Sequence, residues 1–192
     1  HATPFTVGTN RDFSSGAGEF LGGTLGFDET AATFSRISSV YPDSDPGPVF
    51  REMEWEEERI VRACDKFLRR FDPPRTAIFS GCSYAAFAAD TLTKYLDADI
   101  LYVGTRNKPC SGPYPVAHVQ GLSEVRQCIR QHNPDLVIGS SFERAVDSRP
   151  AFIGITPPRR GVVRLAPHAL AGITGTLSFI EEVLNACMDK KT

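Results

Sequence analysis

Two cysteines stand apart because they fall outside the apolar helical stripes of the sequence. Cys82 follows a short apolar strand at a predicted helix start, where the helix dipole stabilises a thiolate, so a redox or ligand thiol is one interpretation. A small residue packed in a tight turn is the other. Cys110 lies in the loop of residues 107–113, whose proline and glycine content is typical of a shaped binding loop and equally of a surface loop with an incidental cysteine.

Polar side chains suited to ligand binding occupy three further turns. Ser83 stands at a predicted helix N-terminus, where backbone N–H groups attract an anion. Arg159 follows two prolines and can meet a carboxylate or a phosphate, although such arginines also serve as solvated surface. His168 precedes the last predicted helix and can reach the ligand edge, whereas Glu143 and Arg144 can simply pair with each other. Ser140 and Ser141, in the turn before Glu143, complete the set. The candidate cofactor-binding residues are therefore Cys82, Ser83, Cys110, Ser140, Ser141, Glu143, Arg159 and His168. No residue is assigned a catalytic role.

The common catalytic fingerprints are absent from the sequence. It contains no G-x-G-x-x-G, Walker A, H-E-x-x-H or G-x-S-x-G pattern, and the turn at residues 80–83 has a single glycine. We therefore do not expect autonomous nucleotide binding through a standard fingerprint. The acidic run at residues 52–58 is interpreted as a solvated helix start, and no metal site is predicted.

The five cysteines are odd in number, dispersed and without a C-x-x-C pair. This arrangement predicts neither a disulfide scaffold nor a self-contained zinc or iron–sulfur site. Cys64, Cys128 and Cys187 lie on apolar helical stripes and are interpreted as small buried hydrophobic residues. We expect a reducing compartment and hence a cytoplasmic protein.

Composition limits the class of protein. The 192 residues are 41% hydrophobic, which supports one good-sized core, and the net charge of −2 argues against a nucleic-acid partner. No segment approaches the ~18 consecutive apolar residues of a membrane span. Residues 1–10 lack a basic region followed by an apolar run, so no secretory signal is expected.

The sequence divides near residue 50. Residues 1–50 are rich in glycine and end in a proline-rich run, which indicates a crossing segment. Residues 12–25 have apolar residues at helical spacing and predict a helix weakened by its glycines, at roughly 1 kcal/mol each. Such a helix needs a partner surface, which could lie outside this chain. Residues 51–192 are predicted to form the second unit.

Strands and helices alternate in this second unit. Short apolar strands separated by amphipathic helices predict an α/β fold, a Rossmann-like three-layer sandwich with a mostly parallel sheet and helices on both faces. In such a sheet the loops after the strands lie along one edge, where ligands bind. Those loops are residues 80–83, 104–115, 139–143 and 156–160. The predicted helices cover residues 52–71, 83–96, a segment opening at Ser123, and 174–187, and the predicted strands residues 76–80, 100–103, 116–119, 135–138, 152–155 and 162–165.

Two segments resemble the end of nitrogenase component 1-type subunits. Residues 133–145 read N-P-D-L-V-I-G-S-S-F-E-R-A, like the family's "P-D-L-hydrophobic-G-S/N" strand and turn. The step from Gly172 to Gly175 resembles the family's "G-aromatic-x-G" opening of the C-terminal helix, with Ile173 where many members have Tyr or Phe. The family includes the nitrogenase molybdenum–iron protein subunits, cofactor-assembly scaffolds and dark-operative protochlorophyllide and chlorophyllide reductases.

The resemblance implies that the chain corresponds to the last of three Rossmann-like domains. The family's cluster-binding cysteines come mostly from the absent N-terminal part, so no cofactor is expected in the isolated chain, and an iron–sulfur cluster or metallocofactor belongs to the full-length parent. The implied partners are the missing domains, a homologous partner subunit and an ATP-dependent iron–sulfur reductase. Glu143 stands where nitrogenase's catalytic subunit has a lysine, and His168 does not match its cofactor ligand, so a tetrapyrrole reductase or scaffold relative fits better.

Three hypotheses follow for function. The first is a domain of a nitrogenase-like oxidoreductase, forming part of a substrate or metallocofactor cavity and leaving an apolar face where other domains dock. The second is a non-enzymatic scaffold for metallocofactor assembly. The third is a stand-alone small-molecule binding module, which requires a closed pocket and an N-terminal segment packed on its own core.

Overall fold

A computed structural model of the chain describes residues 4–9, 11–13, 18–106, 113–161, 163 and 169–191. In chain order its elements are β1 Phe5–Val7, a 3-10 turn Arg11–Phe13, β2 Glu19–Gly22, α1 Gly26–Val40, α2 Gly47–Leu68, β3 Arg75–Ser80, α3 Cys82–Leu96, β4 Asp99–Thr105, β5 Val116–His118, α4 Leu122–His132, β6 Leu136–Gly139, α5 Ser141–Val146, β7 Ala151–Gly154 and α6 Gly172–Lys191.

The central sheet has five parallel strands in the order β5-β4-β3-β6-β7. The chain therefore runs outward from β3 to β5 and then returns to the other side of β3 for β6 and β7. Such a reversal separates the loops on the two sides and opens a crevice beyond the carboxyl ends of the strands. The α/β, Rossmann-like class that the sequence predicts is confirmed.

Each face of the sheet is covered by its own apolar cluster. Side chains alternate along β3, so that Ile78 joins one cluster while Ala77 and Phe79 join the other. The larger cluster is formed with α1, α2, α3 and α6, and the smaller one with α4. Within the described ranges, no helix is both long and apolar enough to cross a bilayer.

The elements beyond residue 50 agree with the predicted ones to within a few residues at their ends. α4 begins earlier than predicted, because Gly121 and not Ser123 is its N-cap. Glu124 then reaches back and accepts a hydrogen bond from the Gln120 N–H at 3.0 Å, which stabilises this helix start. The predicted strand at residues 162–165 lies largely outside the described residues.

The helix predicted at residues 12–25 is wrong. The described part of that range holds a 3-10 turn and β2, which pairs in parallel with β1. Gly22 has a φ of 152°, which no α-helix accommodates, and α1 begins only at Gly26, whose own φ is 80°. Leu25 and Phe27 are 4% exposed and belong to the larger core cluster, so the partner surface of this segment lies within the chain.

A polar network ties α2 to α1 and α3. Tyr95 Oη donates to Glu57 Oε1 at 2.6 Å, and Lys94 Nζ lies 2.8 Å from the same oxygen and 3.1 Å from Asp28 Oδ1. Burial acts to raise the pKa of Glu57, but the bonds from Lys94 and Tyr95 outweigh it and hold the pKa below its ordinary value.

Glu57→Gln is expected to lower the free energy of unfolding at neutral pH by about 0.5–1 kcal/mol, because Lys94 loses a partly exposed carboxylate partner. The contribution of Glu57 is fully present above its unfolded pKa of 4.5 and is lost as pH falls through its lower folded pKa. Urea unfolding of both proteins over acidic and neutral pH should show the difference shrinking below that value. A difference that stays constant down to about pH 2 would contradict this assignment.

Candidate ligand site at the carboxyl edge

The carboxyl ends of β3, β4, β6 and β7 lie along one edge of the sheet, here called the carboxyl edge. Among the described residues of this edge, a buried carboxylate is the most unusual feature. Glu143, in the first turn of α5, is 1% exposed. Its Oε2 accepts the Ser140 N–H at 2.8 Å and the Ser140 hydroxyl at 2.5 Å, while Phe142 N–H donates to Ser140 Oγ at 3.2 Å. Ser140 and Glu143 thus form a reciprocal capping box.

A glycine allows this carboxylate to fold back over the strand end. A Cβ placed on Gly139 would lie 3.0 Å from Glu143 Oε2 and 3.1 Å from its Cγ. Contacts that close require the neighbouring side chain to move, and here that side chain is fixed by its own hydrogen bonds. The absence of a side chain at Gly139, in the Gly-Ser-Ser turn, therefore leaves the space that Glu143 occupies.

The second oxygen of this carboxylate binds Arg106, which follows β4 directly. The Arg106 guanidinium donates from Nη2 to Glu143 Oε1. β3 lies between β4 and β6 in the sheet, so this ion pair spans the carboxyl end of β3 at the point where the strand order reverses. The Arg106 side chain is 47% exposed, and its other N–H donors have no acceptor among the described residues.

A buried hydroxyl lies at the strand end below this pair. Ser80 is the last residue of β3 and is 5% exposed, and its Oγ has no hydrogen-bond partner within the described residues. An unmatched buried hydroxyl costs about 1–3 kcal/mol. The carboxyl edge therefore combines a half-exposed cation with an unused hydroxyl at the topological switch point, which together suit an anionic or strongly polar ligand.

The anion site predicted at Ser83 is occupied by the chain's own carboxylate. Asp12 accepts the Ser83 N–H at 3.0 Å and its hydroxyl at 2.9 Å, so the crossing segment caps α3. Arg11 N–H donates to the same hydroxyl oxygen at 3.2 Å. Gly81 permits this approach, because a Cβ there would lie 3.0 Å from Asp12 Oδ2.

The described cysteines are of two kinds, three buried thiols and one disulfide-bonded residue. Cys64, Cys128 and Cys187 are buried and not disulfide-bonded, which confirms their interpretation as small hydrophobic residues, and burial raises the pKa of Cys64 and Cys128 to about 12. Cys82 is half-buried and disulfide-bonded, so it offers no thiolate. The cysteine spacing does not predict this bond. Cys110 lies outside the described residues, as does His168.

The remaining candidates serve the backbone of the edge loops. Ser141 N–H donates to the Pro158 carbonyl at 2.8 Å, and the Ser141 hydroxyl oxygen accepts the Arg160 N–H. Arg159 turns one guanidinium nitrogen to the Ile155 carbonyl at 3.0 Å. These bonds join the loops after β6 and β7, and they place Ser141 and Arg159 as supports of the edge.

The expected pairing of Glu143 with Arg144 is wrong. Arg144 instead lies over the Phe152 ring, 5.8 Å from its centroid, because α5 turns it toward β7. The true partner, Arg106, is not among the sequence candidates. Its only signal in the sequence is its position in the predicted edge loop of residues 104–115, and the pairing depends on strand order, which periodicity does not provide.

The described residues do not form a metal centre. They contain no group of three or more His, Cys, Asp or Glu side chains able to hold an ion. The donors gathered at the carboxyl edge are a guanidinium and hydroxyls, which are poor metal ligands and good partners for an anion.

Comparisons with known proteins agree with this architecture. The family model described as "Nitrogenase component 1 type Oxidoreductase" matches residues 19–188. No curated protein matches the chain. The solved structure "Nitrogenase Cp1 at pH 6.5" superposes with a TM-score of 0.78 at 16% sequence identity, over 98% of this chain and 46% of that chain. The chain thus spans less than half the length of that structure, with the same fold, and it belongs to the nitrogenase component 1-type oxidoreductase family.

Proposed function

We propose that the chain forms one wall of a substrate or metallocofactor cavity in a nitrogenase-like oxidoreductase component, which receives electrons from an ATP-dependent iron–sulfur reductase. The observation that carries this proposal is the Arg106–Glu143 ion pair across the switch point. Family membership supports the reaction class, and the carboxyl edge supplies the wall. The missing domains and a homologous partner subunit would close the cavity.

The chemistry of this wall is electrostatic. Glu143 is held by Ser140 and accepts a hydrogen bond from one nitrogen of the Arg106 guanidinium, whose other N–H donors have no acceptor among the described residues. Adding electrons to a bound group increases its negative charge, and a fixed cation nearby stabilises the reduced form more than the oxidised form. Arg106 is therefore the residue proposed to contact the bound group, and Glu143 the residue that positions it.

The ligands of any resident cluster are proposed to come from outside the described residues. Those residues contain no metal-binding group, and Cys82 is disulfide-bonded. The matched structure is more than twice as long as this chain, which is consistent with ligands supplied by other domains. No step of the proposed role requires a residue of the described part to bind metal.

A scaffold for cofactor assembly would use the same wall, and only turnover separates it from an enzyme. The stand-alone binding module has one observation in its favour, since the N-terminal residues Leu25 and Phe27 pack in the core of the domain. Its other requirement is a closed pocket, and the cavity of about 790 Å³ between α2 and α6 is an open groove.

Arg106→Ala in the native protein is expected to reduce reductase-dependent turnover at least about tenfold, because the fixed positive charge is lost. Arg106→Lys keeps the charge without the fork and should retain more activity than the alanine variant. The matched control is Arg126→Ala, an exposed arginine on α4 that has no ion-pair partner among the described residues. Equal turnover of Arg106→Ala and Arg126→Ala, expressed per folded protein at equal metal content, would refute the role of Arg106.

A further inference from the structure

The charges of α2 are separated along its length. Residues 52–58 contain five glutamates and no basic residue, whereas residues 59–70 contain five lysines or arginines against one aspartate. This order makes the exposed side of the helix complementary to an antiparallel copy of itself, because each acidic half then lies beside a basic half.

An apolar groove adjoins the basic half. It runs between α2 and α6 and has a volume of about 790 Å³. Lys66 and Arg70 stand on its α2 side, and Met188, which is 37% exposed, on its α6 side. Its apolar lining includes Ile60, Phe67, Phe71, Leu177, Ile180 and Leu184. A cavity of this size and lining accepts a large apolar side chain with a cation beside it.

The chain itself carries such a side chain at the other end of the same helix. Trp55 is the single tryptophan of the sequence and is 64% exposed. Positions three or four apart share one side of a helix, so Glu52, Trp55 and Arg59 continue into Ala63 and Lys66 as one stripe. Arg70 follows in the turn after α2, beside the groove, and completes the stripe. Acid and tryptophan occupy one end of this stripe, and the basic side chains beside the groove occupy the other.

We infer that α2 is the interface of a two-fold dimer in which a second copy of this chain lies antiparallel along the stripe. With the two-fold axis beside position 61, Trp55 faces the groove at the partner's Phe67. Glu52 then faces the partner's Arg70, and Glu56 faces the partner's Lys66. The two-fold axis repeats each of these contacts, so each contact contributes twice to the stability of the dimer. This dimer is independent of the function proposed for the carboxyl edge.

Three of the four charges assigned to this interface are unpaired among the described residues, whereas Glu56 already pairs with Arg59 at 2.7 Å. Within the described part of the chain, the side chains of Glu52, Lys66 and Arg70 have no ion-pair partner, and all three are exposed. Glu54 lies on the other flank of α2, beside Val61 and Arg62. It therefore serves as a charge on the same helix that the dimer does not use.

Sedimentation equilibrium of the 192-residue chain over a range of concentrations tests this inference. We expect a monomer–dimer equilibrium that weakens with salt. Trp55→Ala should raise the dimer dissociation constant at least about tenfold by emptying two groove contacts. Glu52→Arg and Arg70→Glu should each raise it about tenfold, since each places two like-charged pairs face to face. Combining both reversals restores opposite charges and should return the constant to near the wild-type value.

The matched control is Glu54→Arg, which should leave the dissociation constant within about threefold of wild type. Glu52 and Arg70 form no ion pair within one chain, so a recovery of dimerisation in the double reversal reports contacts between two chains. A chain that stays monomeric at all concentrations would overturn the inference, including the case in which another protein segment fills the groove. Single reversals without rescue in the double variant would overturn it as well.

Discussion

Gly175→Ala is expected to lower the free energy of unfolding by about 3 kcal/mol. A Cβ at this position would lie 2.2 Å from the carbonyl carbon of Leu170, 2.4 Å from its oxygen and 2.8 Å from the Ala169 oxygen. The backbone there cannot move aside freely, because Gly172 N–H donates to the Thr24 carbonyl at 2.6 Å. Helix propensity alone favours alanine by roughly 1 kcal/mol, so the expected sign is the reverse of the propensity effect.

Gly154→Ala is the matched control for this substitution. A Cβ at Gly154 would make ordinary contacts, at 3.6 Å to Phe152 and 3.7 Å to Arg159. We expect its free energy of unfolding to stay within about 0.5 kcal/mol of wild type. Urea unfolding of the three proteins measures both effects. Equal stability of Gly175→Ala and wild type would mean that the loop before α6 is not packed against the helix as described.

Breaking the Arg106–Glu143 pair is the second substitution with a large expected effect. Glu143→Ala should lower the free energy of unfolding by about 2–4 kcal/mol, because it removes the capping box and leaves the Ser140 amide and Arg106 without their acceptor. Arg106→Ala should cost about 2 kcal/mol, because it strands a carboxylate that is 1% exposed. In the Glu143→Ala variant, water can solvate the half-exposed Arg106 guanidinium, and this limits the loss of stability expected for that variant.

A double-mutant cycle isolates the pair from its surroundings. Once Glu143 is alanine, the further change Arg106→Ala should cost less than about 0.5 kcal/mol, so the coupling energy should exceed about 1 kcal/mol. Arg126→Ala supplies the unpaired control and should be additive with Glu143→Ala. Additive costs for Arg106 and Glu143 would show that the two side chains do not interact across the end of β3.

The sheet and its helices could largely be predicted because they depend on local periodicity and on breakers. Ile60, Cys64 and Phe67 mark the buried side of α2 at helical spacing, and all three are 5% exposed or less. The N-terminal segment could not be predicted, because β1 and β2 pair through backbone hydrogen bonds and because the glycine conformations at Gly22 and Gly26 have no side-chain pattern.

In the candidate site, too, some residues could be predicted from the sequence and others could not. Glu143, Ser140 and Ser83 could be selected from the sequence because they follow predicted strands. Their partners could not, since Arg106 is 37 residues from Glu143 and Asp12 is 71 residues from Ser83. Strand order brings each pair together, and strand order is set by the packing of the whole domain. Sequence periodicity predicts which loops lie at the carboxyl edge, whereas the strand order determines which side chains are in contact there.

The two glycines of the Gly172–Gly175 segment, which carries part of the family resemblance, are each required by the local structure. Gly172 has φ of 70°, a left-handed conformation that favours glycine, and Gly175 leaves room for the backbone of Leu170. Ile173, which replaces the aromatic residue of many members, is half-buried and packs against the larger core cluster. The step is therefore a requirement of the fold at the start of α6, and it does not by itself indicate a catalytic residue.

Electron transfer into the native protein tests the proposed function most directly. The protein would be purified anaerobically from its source and mixed with a reduced ATP-dependent iron–sulfur reductase, and oxidation of the reductase would be followed spectroscopically with and without ATP. We expect ATP-dependent oxidation of the reductase that is coupled to substrate reduction and slowed by Arg106→Ala. Oxidation that neither requires ATP nor responds to Arg106→Ala, or no oxidation at all, would contradict a role of this chain in a nitrogenase-like oxidoreductase.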